Sequence, residues 1–144
     1  MATINSFSPN TRAESSKVNT NFTNINSVLR PSFGFGISGG LSTGENQTLT
    51  WIVPQNMTII KCYGYLKTAP TGATLIVDIN VNGTSIWDST QASRLTFAVS
   101  NQSTSQTSFD NSSLSEGDIL TLDVDQVGST IAGSDLTVVL KCSV

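Results

Sequence analysis

The chain contains no histidine. That removes the commonest general base, the commonest metal ligand and the usual partner of a serine or cysteine nucleophile. Cysteine is scarce too: Cys62 and Cys142 stand far apart and, without histidine, do not make a zinc site. Charged residues are only 12% of the chain, about half the usual share. A net charge of −3 with no Lys/Arg cluster excludes a groove built to neutralise phosphates, so no nucleic-acid partner is expected. No apolar run approaches the roughly 20 residues that span a bilayer, so no membrane partner is expected either. The opening MATINSFSPN has neither the basic nor the apolar segment of a secretory leader. The expectation is synthesis in the cytoplasm, with both cysteines as reduced, buried thiols and no metal or other cofactor.

What fills the chain instead is Ser, Thr and Asn around short apolar alternations. LTWIV sets Leu49, Trp51 and Val53 on one face, ATLIVDINV sets Leu75, Val77, Ile79 and Val81, and RLTFAV sets Leu95, Phe97 and Val99. ILTLDV and DLTVVLKCSV repeat the pattern with Leu120, Leu122 and Val124, then Leu136, Val138, Leu140 and Cys142. Turn signals at 54–56, 70–72, 82–83, 117–118 and 128 separate these runs. Seven or eight half-buried strands in some hundred residues predict a mainly β, antiparallel two-sheet sandwich, jelly-roll-like, over 47–144.

Two segments precede it. Residues 15–29 predict a short helix, capped by Ser15 or Ser16 and ended before Pro31. Val18, Phe22, Ile25 and Leu29 recur on it at spacings of four, three and four, the seam of a two-heptad coiled coil. The alternative is a helix packed on its own domain. Residues 1–30 therefore form an arm and oligomerisation helix, and 31–46, with five glycines, a linker. Within that linker Phe33, Phe35 and Ile37 alternate, so its first half is a candidate edge strand.

Three sets of side chains are candidate sites. A two-residue turn at Asn82-Gly83 sets Asp78 opposite Trp87; with Ile79 and Ile86 inward, both would point out and offer a ring and a carboxylate to a sugar. Along MTIIKCYGYLKT, Tyr63 and Tyr65 share a face with Ile59, Lys61 and Lys67, opposite Ile60, Cys62 and Leu66. That aromatic face suits a subunit contact. Asp118, Asp123 and Asp125 lack the dense loop ligands of a calcium motif and are expected to be solvated carboxylates.

The stretch FSPNTRAESSKVNTNF resembles an N-terminal module of tailed-bacteriophage virion proteins, a Phe-x-Pro-x-Thr arm followed by Ser-x-x-Val-Asn-x-Asn-Phe on a helix. Phe7, Pro9, Thr11, Ser15, Val18, Asn19, Asn21 and Phe22 match it. TAPTGATLIVDINVNGTSIW and GDILTLDVDQVGSTIAGSDLTVVL look like the sandwich heads of phage fibre and decoration proteins. The resemblance implies a non-enzymatic homotrimer on the virion surface, anchored to capsid or tail proteins through Phe7 and the helix. A trimeric capsid decoration or short head fibre is the first expectation, since no shaft or repeated segment follows the helix. A tail-fibre or baseplate knob that binds a host surface glycan is the second.

Overall fold

The computed structural model describes residues 14–28 and 30–144, and of residues 22–28 the backbone alone. Helix α1 spans Ser15–Val28. Its first turn opens on Glu14, whose carbonyl accepts from the Val18 N–H at 3.1 Å, so Ser15 lies inside the helix and does not cap it.

The rest is a β-sandwich of two antiparallel sheets. The strands are β1 (Ser32–Gly40), β2 (Trp51–Ile52), β3 (Met57–Thr68), β4 (Leu75–Val81) and β5 (Thr84–Ser85). They continue with β6 (Leu95–Phe97), β7 (Ser103–Gln106), β8 (Ser113–Leu114), β9 (Ile119–Gln126) and β10 (Ser134–Ser143). Sheet A runs β1-β10-β3, and its far edge is shared by β7 and β8, which pair with different stretches of β3. Sheet B runs β2-β9-β4, and its far edge is shared in the same way by β5 and β6.

Alternation builds the core between them. Phe33 and Phe35, then Leu136, Val138, Leu140 and Cys142, point inward from sheet A and meet Leu75, Val77, Ile79, Leu120, Leu122 and Phe97 from sheet B. The approach is close at Gly64, where a methyl group would run into the Phe97 ring and Leu95. The segment 31–46 is therefore not a linker: its first half is β1, paired with β10 from Ser32↔Lys141 to Gly40↔Ser134, and Phe33 and Phe35 are buried. Its glycines made it read as loose. The alternation of its apolar residues decides the outcome, because two phenylalanines buried on one face outweigh the entropy of the glycines between them.

Cys62 and Cys142 are free, buried thiols as expected. Burial pushes Cys62 up to about 12, with Cys142 adding to the effect, and Cys142 to about 11. Neither forms a thiolate nucleophile at neutral pH.

Candidate interaction surfaces

Strand β3 crosses the middle of sheet A and presents Tyr63 and Tyr65 outward, 41% and 52% exposed. Val139 and Ser105 flank Tyr63; Thr137 and Ser103 flank Tyr65. The Lys61 ammonium lies 4.6 Å from the centre of the Tyr63 ring, within cation–π range. On the edge strand the same rows end in Gly34 and Gly36, so the tyrosines stand above a low border. The tyrosine face is present as read from the sequence, with one correction. Ile59 is buried and Ile60 is not, because β3 carries an extra residue where Lys141 pairs with Lys61 but Cys142 pairs with Ile59. This bulge exchanges the faces of the strand below Lys61.

The candidate glycan pair is overturned. Asn82 and Gly83 do form a two-residue turn with φ of 51° and 82°, and Val81 pairs with Thr84. The ladder then stops after Ile86, whose N–H donates to Ile79. The Ser85 hydroxyl donates to Asp78 Oδ1 at 2.7 Å and accepts from the Trp87 N–H at 2.9 Å, which turns the chain inward. Trp87 is 0% exposed; its indole N–H donates to the Ser108 carbonyl at 2.7 Å and its ring packs on Phe109. Asp78 faces outward from β4 but is covered, only 7% exposed. Burial raises its pKa, the Ser85 hydrogen bond opposes that, and Asp125 adds to it. The pair fails as a contact because alternation was extended past the end of the strand.

The outer face of sheet B is polar and acidic. Asp123, directly opposite Asp78, accepts from the Asn80 amide and from the Asn46 N–H, both at 2.7 Å. Asp125 pairs with Arg94 at 2.5 Å. Asp118 is elsewhere, at the Asn82 turn, where it accepts from the Asn82 amide and from the Ser115 N–H; these bonds hold its pKa below the usual carboxylate value. Among the described residues no group of three or more His, Cys, Asp or Glu could hold a metal ion.

Sequence reasoning missed an apolar patch at the β2 end of this sheet. Leu49, expected inward with Trp51 and Val53, is 88% exposed, and Ile52 and its cross-strand partner Ile119 are exposed as well. Only Trp51 and Ile52 join the ladder, so the chain before Trp51 has no pleat to hold Leu49 inward. The nearby Gly-rich and Pro54 signals mark how short that strand must be. Trp51 is half-exposed, its N–H donating to the Gly34 carbonyl at 2.8 Å and its ring edge-on to Phe33.

Of the helix seam, Val18 is half-buried. Phe7, Leu29 and the side chains of Phe22 and Ile25 lie outside the described residues. Among the described residues no helix is long and apolar enough to cross a membrane. No protein-family model matches the chain, and no curated protein matches it in sequence.

Proposed function

We propose that this chain is a non-enzymatic structural component of a bacteriophage virion: a homotrimeric surface decoration or short head fibre, anchored to other virion proteins through its N-terminal segment. The observation that carries the reading is the exposed Tyr63 and Tyr65 in the centre of sheet A, on a sandwich that follows a helix bearing the Ser15, Val18, Asn19, Asn21 and Phe22 pattern. Tyrosines there suit a subunit contact, since the ring is apolar and the hydroxyl is readily satisfied at an interface. The strand order also supports a jelly roll: with each split edge counted as one strand, successive strands change sheets except at the β4–β5 hairpin, the pattern of two nested Greek keys.

The receptor-knob reading has lost its contact pair, since Asp78 and Trp87 are both covered. Light scattering of the purified full chain and imaging of intact particles test the proposal together. The expected result is a trimer in solution and many copies on the particle surface. Replacing Phe22 and Ile25 with Ser should remove the protein from particles while leaving the sandwich folded. Incorporation at the parent level would sink the anchoring role.

A further inference from the structure

Lys61 and Lys141 lie directly opposite each other on the outer face of sheet A. Like charges so placed repel, and among the described residues neither lysine is in an ion pair. Tyr65 stands four residues along β3 from Lys61, about 13 Å at strand rise, with its ring exposed. This face therefore offers two uncompensated cations and, displaced from them, an aromatic knob.

The edge beside it offers the counterparts. Segment 44–53 runs along the free edge of β9: Gly44 bridges Val124, the Gln47 N–H donates to the Leu122 carbonyl, and Trp51 pairs with Leu120. Leu49 and Trp51 enclose, with Gly34 and Gly36 of β1, a hollow of about 130 Å³, a size that admits one aromatic ring. The hollow has polar groups too. The Pro31 carbonyl accepts from the Cys142 N–H, so by alternation Gly34 and Gly36 turn their N–H and C=O groups away from β10. Trp51 takes the Gly34 carbonyl and leaves the groups of Gly36 to a partner. Glu45, next to Gly44, is the only charged residue between Arg30 and Lys61. It is exposed and, among the described residues, in no ion pair. Val124 and Leu120 are four residues apart on β9, so Glu45 lies about 13 Å from Trp51 along the edge, the same offset as Lys61 from Tyr65.

We infer that neighbouring copies of this chain meet edge on face: Tyr65 of one copy enters the hollow at Leu49, Trp51 and Gly36 of the next, whose Glu45 lies between Lys61 and Lys141 of the first. The inference rests on the trimer reading and names the two surfaces that meet in it. The ring leaves water against Leu49 and Trp51 while its hydroxyl finds the Gly36 backbone, and the carboxylate relieves the repulsion between the lysines. An outer face and an edge of one sandwich diverge by roughly a right angle and are not opposed. Each contact therefore turns the next copy, as a closed ring of heterologous contacts requires.

Sedimentation of the full chain across a range of salt tests this, using wild type, E45K, K61E/K141E, the combined E45K/K61E/K141E and L49S, each checked for folding by circular dichroism. The expected result is a wild-type trimer that weakens with salt. E45K and K61E/K141E should each associate at least about tenfold more weakly, and the combined chain should recover to within about threefold of wild type, because its charges are complementary again. L49S should weaken association about tenfold with the salt dependence unchanged. Should K61E/K141E fail to fold, E45K and L49S, both at exposed positions, decide the matter. Trimers unaffected by any substitution would overturn the edge-on-face contact and leave the proposed virion role standing, with assembly held by the helix. Failure of the combined chain to recover would overturn it too, and would give the lysine pair to another partner. A closed ring of another size that responds to the substitutions as expected would keep the contact and correct the copy number. A wild-type chain that stays monomeric would overturn both the contact and the trimer reading.

Discussion

The two edges where the sheets meet each hold a tryptophan, and they are closed by different means. At one edge Trp87 is sealed by residues 86–94 and 107–112, which leave the split strands and fasten to each other. The N–H groups of Asp110 and Asn111 donate to the Ile86 carbonyl, and the Asp110 carboxylate accepts from the Ser89 and Thr90 N–H groups and the Thr90 hydroxyl. At the other edge Trp51 lies half-open over β1, held to it by one hydrogen bond to Gly34, with Leu49 exposed beside it. The difference is one of backbone partners. Trp87 is enclosed because two loops satisfy each other's polar groups above it, whereas among the described residues nothing comparable crosses Trp51 or the β1 border beside it.

If this contrast is right, truncating the enclosed ring is the more damaging change. Trp87→Ala should lower stability by about 3–5 kcal/mol, measured by denaturant unfolding, since it opens a cavity and orphans the Ser108 carbonyl. Trp51→Ala should cost well under half of that, and Trp51→Phe about 1 kcal/mol for the lost hydrogen bond. Equal losses at the two sites would erase the distinction. Fluorescence sharpens it: with Trp51→Phe the remaining Trp87 emission should resist acrylamide, and with Trp87→Phe the remaining Trp51 emission should be quenched. In an assembled trimer, shielding of Trp51 as well would place the open edge in a contact.

The closed edge should also loosen in acid. Hydrogen bonds from Thr90 hold the Asp110 pKa below 3.8, so its stabilisation is present above that value and is lost as pH falls through the folded-state pKa. Asp110→Asn should remove that acid sensitivity and speed amide exchange of Ser89 and Thr90 at neutral pH. The smallest effect should come from Asp78, whose raised pKa has the opposite sign. Burial favours its protonated form, so the wild type should lose stability relative to Asp78→Asn as pH rises above 3.8, and the two should converge below it. A wild type that gains on Asp78→Asn with rising pH would show that the Ser85 hydrogen bond outweighs burial.

These contrasts mark where sequence reading holds. The strands whose alternation runs for six residues or more, β4, β9 and β10, face as their apolar pattern dictates, because a one-residue slip would turn a whole apolar face to water. The Asn82-Gly83 turn was legible too, since few residues other than Asn and Gly accept two successive positive φ values. What alternation does not carry is where a strand stops. Trp87 and Leu49 were each assigned a face by extending a ladder beyond its last paired residue, and Ile59 by extending one through a bulge. The seal over Trp87 comes from Ser108 and Asp110, about twenty residues away in sequence, and no local pattern announces it. The tyrosine face was legible because Tyr63 and Tyr65 lie within the regular part of β3, and the acidic face was visible only as three scattered aspartates until β4 and β9 lay side by side.

The position of β10 has a consequence for how the protein is made. This strand lies between β1 and β3, so Ser32 finds its partner only when Lys141 arrives, and Tyr63 waits for Val139. A chain emerging from the ribosome as far as β9 has β1 without its partner and one edge of β3 unpaired, with the core beneath the missing strand open. Folding of the sandwich therefore follows synthesis of residues 134–143 and does not keep pace with it. The long loops that must close first place it among the slow, millisecond-to-second folders. A product ending short of β10 would expose β1 and the middle of β3 to other chains and should aggregate, not merely lose stability.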